Sequence, residues 1–253
     1  MAKIIKKESG LKKEILYHKK QIFKKSLFVI VFLICFGAGL WLFSYSKERY
    51  LLLLPAGFFI LTVFNIVSIK KSGEKIDILK SGVKGENFAI NHFKALPDSY
   101  TVLNNLKIFY KGHCSELDTL IVGPTGVFII ETKNLNGHIY GDANSEYWVK
   151  RKISRGRNIY SKNFYSPIKQ VNTHIFRTAG YLRQNKINTY ITPIVYFANA
   201  DTEIEIKNMD KKTLVFSQGQ NGADKIIRYI LNNNQSLTVK ETTKIVNLLS
   251  QNT

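Results

Sequence analysis

Residues 116–134 read ELDTLIVGPTGVFIIETKN, two apolar runs joined by the turn residues GPTG. Apolar runs of this length, bounded by Gly and Pro, are typical of buried β-strands, and their close spacing predicts a β-hairpin. Asp118 and Glu131 lie about equally far from the turn, so we expect them to be cross-strand neighbours. Because side chains alternate along a strand, Glu131 and Lys133 should project from the same face. The hairpin therefore predicts two acids and a lysine at one end of a sheet.

This combination of side chains has a specific chemical use. Two carboxylates held close together repel each other and raise a pKa unless a cation lies between them, and hard oxygen ligands of this type suit Mg²⁺ or Mn²⁺. Lys133, presented beside such an ion, would orient or activate a water for in-line attack on a phosphodiester. An E-x-K triplet alone is usually a surface ion pair. At the end of the apolar strand VFII and opposite an acid, it is typical of a functional site.

The elements on either side of the hairpin complete an α/β pattern. Apolar residues at helical spacing predict a helix over residues 82–96, closed by Pro97. Alternating helices and strands predict a single α/β domain with a mixed sheet. The other predicted elements are strands at 101–108, 137–141 and 191–198, a polar basic stretch to residue 163, and helices at 166–185, at about 223–232 and after 237.

The N-terminal third contains two uncharged apolar runs, residues 26–45 and 50–69, each long enough to cross a bilayer as a helix. The short segment between them predicts an antiparallel hairpin with both flanks on one side of the membrane. Lysines are abundant on these flanks and scarce in the turn, so we expect both termini and residues 70–253 to be cytoplasmic. A cleaved signal peptide is disfavoured because the second run follows directly.

The net charge of +19 predicts polyanionic partners, which are nucleic acid, anionic lipid or both. Residues 1–25 contain nine lysines and two glutamates, and residues 70–253 contain 26 basic and 15 acidic residues. Two separate basic surfaces are therefore implied. The two cysteines, Cys35 and Cys114, indicate no disulfide framework and fit a reducing compartment.

Four motifs resemble a known family. The ELD and GPTGVFIIETKN runs of the hairpin, together with GVKGEN at 82–87 and SPIKQ at 166–170, are similar to the nuclease-related domain (NERD). That family is assigned to the PD-(D/E)XK, restriction-endonuclease-like fold. The resemblance extends to about residue 198, and it implies a mixed α/β sheet flanked by helices, here preceded by two transmembrane helices.

The resemblance also implies roles for five residues. Asp118 would be the principal metal ligand, Glu131 the second ligand, and Glu86 on the first helix would help to hold the ion. Lys133 would be the catalytic lysine, and Gln170 would support the site or the substrate. The expected cofactor is Mg²⁺ or Mn²⁺. Leucine stands where the family's Glu-Ile-Asp motif has isoleucine, which is a mild change.

The run KRKISRGR at residues 150–157 is a second candidate region. It is either a solvated loop or an edge that contacts phosphates beside the site. His113 and His138 either lie at the rim of the site or are surface side chains. The second alternative is favoured because no spacing of His or Cys here matches a zinc site. The predicted nucleic-acid contacts in the basic run are Lys150, Arg151, Lys152, Arg155 and Arg157.

Three functions are compatible with these features. The first is a membrane-anchored, Mg²⁺- or Mn²⁺-dependent nuclease that acts on DNA in preference to RNA. The second is a non-catalytic module that binds nucleic acid near the membrane with a vestigial site, and the third is a membrane scaffold for a protein partner. The expected domain order is a basic N-terminal segment (1–25), a transmembrane hairpin (26–69), a linker (70–81), the nuclease-like domain (82–200) and a helical or mixed C-terminal extension (201–253).

Overall fold

The computed structural model describes residues 1–153, 159–210 and 212–251. The chain forms two compact units. The sheet unit combines Met1–Ser9 with Gly82–Thr253, and the helical unit is Gly10–Ser81.

Within the described ranges the chain contains five α-helices and ten β-strands. The helices are α1 (Gly10–Ser46), α2 (Leu53–Phe93), α3 (Pro167–Gln184), α4 (Gly222–Leu231) and α5 (Val239–Gln251). The strands are β1 (Lys3–Lys6), β2 (Thr101–Tyr110), β3 (His113–Gly123), β4 (Gly126–Lys133), β5 (Gly137–Asp142), β6 (Tyr147–Ile153), β7 (Ile159–Tyr165), β8 (Ile191–Phe197), β9 (Thr202–Lys207) and β10 (Leu214–Ser217).

The helical unit is an antiparallel pair formed by α1 and the first part of α2. Close to the turn, Gly39 packs against Pro55, and a Cβ at Gly39 would lie 3.0 Å from the proline ring. Farther along, the rings of Phe32 and Phe58 have centroids 6.2 Å apart. Both helices are long and apolar enough to cross a membrane, and only 6% and 11% of their most apolar windows are buried. Low burial distinguishes them from the core helices of a water-soluble domain.

The main sheet of the sheet unit has the order β1-β2-β3-β4-β8-β10. Strands β2, β3 and β4 are antiparallel neighbours, whereas β4, β8 and β10 run parallel. The predicted hairpin is β3–β4, and the mixed α/β class predicted from the sequence is confirmed. Strand β4 is buried along nearly its whole length, as expected of a central strand covered on both faces. Helices α3 and α5 pack on one face, and α4 with residues 82–93 of α2 packs on the other.

A second sheet, with the order β7-β6-β5-β9, was not predicted. Its β6–β7 hairpin forms from the stretch that the sequence presented as polar and basic. Trp148 anchors this hairpin: it is fully buried, with its ring centroid 6.3 Å from that of Phe164 and 6.5 Å from that of Phe197. Burial of these rings stabilises a strand pair that is otherwise rich in charge.

The structure draws the domain boundaries differently from the sequence-based prediction. Residues 3–6 form β1, which pairs in parallel with residues 101–104 of β2. Of the predicted 1–25 segment, the first nine residues therefore belong to the sheet unit and the rest to α1. The predicted linker, 70–81, is helical and lies inside α2. The C-terminal extension, 201–253, is integral to the sheet unit because β9 joins the second sheet and β10 closes the edge of the main sheet.

Candidate active site

Asp118 lies at the point where β3 and β4 separate. Counted from the turn, the last paired residues of the hairpin are Thr119 and Ile130. Asp118 and Glu131 are the next residues outward on their strands. Beyond that pair, Oδ2 of Asp118 accepts a hydrogen bond from the backbone N–H of Thr132 at 2.8 Å, so the carboxyl group replaces a strand partner. Burial raises the pKa of Asp118 well above its usual range, and the charge of Glu131 raises it further.

Glu131, which is buried, and Lys133, which is half-buried, form an ion pair on the face that α3 covers. Glu131 is 1% exposed, and its Oε1 accepts a hydrogen bond from Nζ of Lys133 at 2.7 Å. Burial alone would raise the pKa of Glu131, but Lys133 and His174 hold it below its ordinary value. Burial alone would lower the pKa of Lys133. The negative charges of Glu131 and Asp118 have the larger effect and raise this pKa above its ordinary value. Both groups are therefore charged at neutral pH.

Helix α3 brings Gln170 to this pair. The helix is capped by the buried Ser166, whose Oγ accepts a hydrogen bond from the backbone N–H of Lys169, and Pro167 occupies its first turn. From this fixed start, Oε1 of Gln170 accepts a second hydrogen bond from Nζ of Lys133 at 2.8 Å. The structure thus joins three of the five predicted residues in one chain of hydrogen bonds.

His174 is a site residue that was not predicted. Its Nε2 lies 3.4 Å from Oε2 of Glu131, and the imidazole is buried, with 7% of the residue exposed. The four-residue spacing from Gln170 places both side chains on one face of α3, and that spacing is the signal that identifies it. His113 and His138 are both exposed, as the surface alternative expects.

Glu86 approaches the site from α2. It is 8% exposed, and its Oε2 accepts a hydrogen bond from Oγ of Ser9 at 3.5 Å. Burial raises the pKa of Glu86 to about 7, the Ser9 hydrogen bond opposes the rise, and the charge of Glu131 adds to it. Gly85 permits the close approach of the helix, because a Cβ there would lie 2.6 Å from that of Asn134. Packing thus explains the second glycine of the GVKGEN motif, Gly85.

Two of the acids fit a hard divalent ion in number and chemistry. Oε2 of Glu131 is buried and accepts no hydrogen bond within the described part of the chain. The charge of Glu131 also raises the pKa of Asp118. Mg²⁺ commonly uses one or two carboxylates and keeps several waters. Among the described residues, however, no three His, Cys, Asp or Glu side chains converge closely enough to hold a metal ion. Asp118 and Glu131 fit as two such ligands. The role of Glu86 as a third ligand stays a prediction, and the charge of Glu86 adds to the rise in the pKa of Asp118.

The predicted nucleic-acid contacts are divided by the structure. Lys150 and Lys152 share one face of β6 with Trp148, whereas Arg151 projects from the other face, 4.9 Å from the centroid of the Tyr140 ring. Lys162 of β7 lies directly opposite Lys150 and was not predicted. The two remaining predicted contacts, Arg155 and Arg157, lie outside the described residues.

Comparison with known proteins agrees with these motifs. Residues 81–198 match the family model described as the nuclease-related domain, a range that contains all five predicted site residues. An uncharacterized protein of Bacillus anthracis is 37% identical over 72 residues, which are 27% of this chain and 34% of the relative. The match thus spans about a third of that curated relative. No solved structure matches.

Proposed function

We propose that the protein is a membrane-anchored nuclease that hydrolyses phosphodiester bonds with Mg²⁺ or Mn²⁺, preferring DNA to RNA, because residues 81–198 match the family model of the nuclease-related domain. One observation supports this most strongly. An ammonium group, Lys133, is held by two hydrogen bonds beside the buried Glu131 and the half-buried Asp118, at the open end of the β3–β4 hairpin. A buried cluster of this kind with strongly shifted pKa values is typical of a catalytic site.

The side chains have separable roles in this proposal. Asp118 and Glu131 would hold the ion, which supplies Lewis-acid stabilisation of the charge that develops on the phosphate. Lys133 keeps its proton because its pKa is raised, so it acts as a positive charge and hydrogen-bond donor to the scissile phosphate or the attacking water. Gln170 fixes the position of that ammonium group. Glu86 adds a carboxyl group that is close to half ionised near neutral pH.

The membrane anchor would be the helical unit. Its two long apolar helices are largely exposed, and the segments before and after them are rich in lysine. By the positive-inside rule, the sheet unit would lie on the cytoplasmic side, where nucleic acid is present.

A nucleic-acid-binding module without turnover is the second candidate. It is favoured by one observation, that the described residues form no ready three-ligand metal cluster. In this case the basic surface would bind nucleic acid, and the acids of the site would be vestigial.

The test uses the full-length protein in detergent. A fragment that starts after the apolar helices would lose β1 and the Ser9 hydroxyl group that contacts Glu86. The protein is incubated with single-stranded DNA, duplex DNA and RNA, in Mn²⁺, Mg²⁺ or EDTA. We expect metal-dependent cleavage that is lost in Asp118→Asn and Lys133→Gln and retained in Glu205→Gln, a matched change at an exposed acid of β9.

Each alternative result has a distinct meaning. Cleavage that persists in EDTA or in both site variants would refute the proposed mechanism. Salt-sensitive binding without cleavage in either metal would establish the binding module instead.

A further inference from the structure

One face of the β6–β7 hairpin changes from apolar to basic along its length. Near one end, Trp148 and Phe164 lie opposite each other and pack together. Two residues farther along, Lys150 lies opposite Lys162, and Lys152 follows on the same face because side chains alternate along a strand. We call Lys150, Lys152 and Lys162 the lysine face.

No acid among the described residues neutralises the charge of the lysine face. Among the described residues, none of the three lysines makes an ion pair with an acid, and Lys150 donates a hydrogen bond only to Oδ1 of Asn136, at 3.1 Å. Burial lowers the pKa of Lys150, and the charges of Lys152 and Lys162 lower it further. Like charges directly opposite each other destabilise a sheet, so this arrangement is unfavourable until an anion binds.

A basic residue elsewhere in the fold provides the contrast. Lys107 of the main sheet forms an ion pair with Glu116 on the neighbouring strand, directly opposite it. The absence of such an acid opposite Lys150 is therefore a local property of the β6–β7 hairpin.

The lysine face begins beside the candidate active site. Asn136, which Lys150 contacts, lies three residues after Lys133 in the chain. Trp148 stacks on Phe197, the residue that pairs with Lys133 in the main sheet. A polyanion bound along the lysine face would thus lead towards the Lys133 ammonium group.

An exposed aromatic ring lies at the far end of the same face. Tyr160 is directly opposite Lys152 and is 56% exposed. Positive charge that follows a phosphate backbone, combined with a ring on which a base stacks, is the usual means of binding single strands. The bases of a duplex already stack on one another and present no free face to such a ring.

We propose that the lysine face and Tyr160 bind a single-stranded segment of nucleic acid, with phosphates on the lysines and an unpaired base on the tyrosine. The inference rests on the proposed function for its substrate class, but the binding itself requires no cleavage. The nucleic acid that reaches the candidate active site would then be a single strand or the unpaired end of a duplex.

The first test is a salt titration of binding by the full-length protein in detergent and EDTA. The probe is a fluorescein-labelled single-stranded 12-mer. Each phosphate contact contributes about 0.7 to the slope of log affinity against log salt for single strands. We expect Lys152→Gln/Lys162→Gln to reduce that slope by about 1.4. The control is Lys207→Gln/Lys212→Gln, which removes equal charge from exposed lysines, one of them on the opposite face of the same sheet.

The second test addresses the ring. Tyr160→Ala should weaken binding of the single strand about tenfold and leave binding of the matching duplex unchanged. Tyr190→Ala is the control, since Tyr190 is 58% exposed and lies outside the hairpin.

The outcomes separate this inference from the proposed function. A reduced slope without cleavage in any metal supports the single-strand surface and refutes the nuclease. Cleavage with an unchanged slope, or an equal loss in the control pair, overturns the inference alone. Equal weakening of single strand and duplex in Tyr160→Ala overturns the assignment to single strands.

Discussion

The β3–β4 and β6–β7 hairpins of the sheet unit differ in how their charged side chains are paired. In β3–β4, opposite charges lie together: Glu131 is buried, Lys133 is half-buried, and Oε1 of Glu131 lies 2.7 Å from Nζ of Lys133. In β6–β7, like charges lie side by side at the surface, and Lys150 faces Lys162 across the strands. A buried pair is stable only while both partners are present, whereas an exposed group of like charges gains stability when one is removed. The same substitution should therefore have opposite effects in the two places.

The largest expected effect comes from breaking the buried pair. Lys133→Met leaves Glu131 charged, buried and without its main partner, and we expect the free energy of unfolding to fall by about 3–5 kcal/mol. Urea unfolding can be followed by tryptophan fluorescence in a Trp41→Phe background, where Trp148 is the remaining tryptophan. Lys162→Met is the control, and an equal loss in both variants would remove the distinction between the hairpins.

A somewhat smaller effect follows from the raised pKa of Glu86. Folding favours the protonated carboxyl, so its stabilising effect is complete below pH 4.5, the ordinary value, and is lost as pH rises towards about 7. The shift corresponds to about 3 kcal/mol. We expect Glu86→Gln to be more stable than the natural protein at pH 8 in EDTA and to lose this pH dependence. Urea unfolding at pH 4.5 and pH 8 measures both, and an unchanged pH profile would show that Glu86 is already ionised in the fold.

The smallest effect, and the one of opposite sign, belongs to the lysine face. Lys162→Glu places an acid opposite Lys150 and should stabilise the sheet unit by about 0.2–1 kcal/mol, while weakening binding of single-stranded DNA. Thermal unfolding and the salt titration measure the two quantities on one preparation. Loss of stability together with loss of binding would mean that Lys162 has a structural role instead.

The same contrast explains which parts could be predicted from sequence. The β3–β4 hairpin is legible because its strands are apolar and its turn contains Gly and Pro, and the turn position alone brings Asp118 and Glu131 to adjacent positions. In β6 the sequence YWVKRKI places Trp148, Lys150 and Lys152 on one face, so no apolar-polar alternation is visible. A face that is half core and half binding surface has no hydrophobic period to detect.

Two other features depend on contacts distant in sequence. Strand β1 is four residues long, and its partner begins near residue 101, so nothing local distinguishes it from a basic tail. His174 lies on the predicted face of α3, but the identity of its partner, Glu131, depends on how that helix packs across the sheet. Helical periodicity predicts which side chains share a face of the helix, but it does not predict which residues of the sheet they contact.

Strand β1 also affects when the main sheet is completed during folding. Its residues precede both apolar helices in the chain, yet Lys3 pairs with Thr101, which follows them. Contacts of such long sequence separation form late in folding, so we expect this edge of the main sheet to be completed last. A tag fused to Met1 would extend directly from this edge, two residues before Lys3, so a tag at the other terminus is the safer choice for purification.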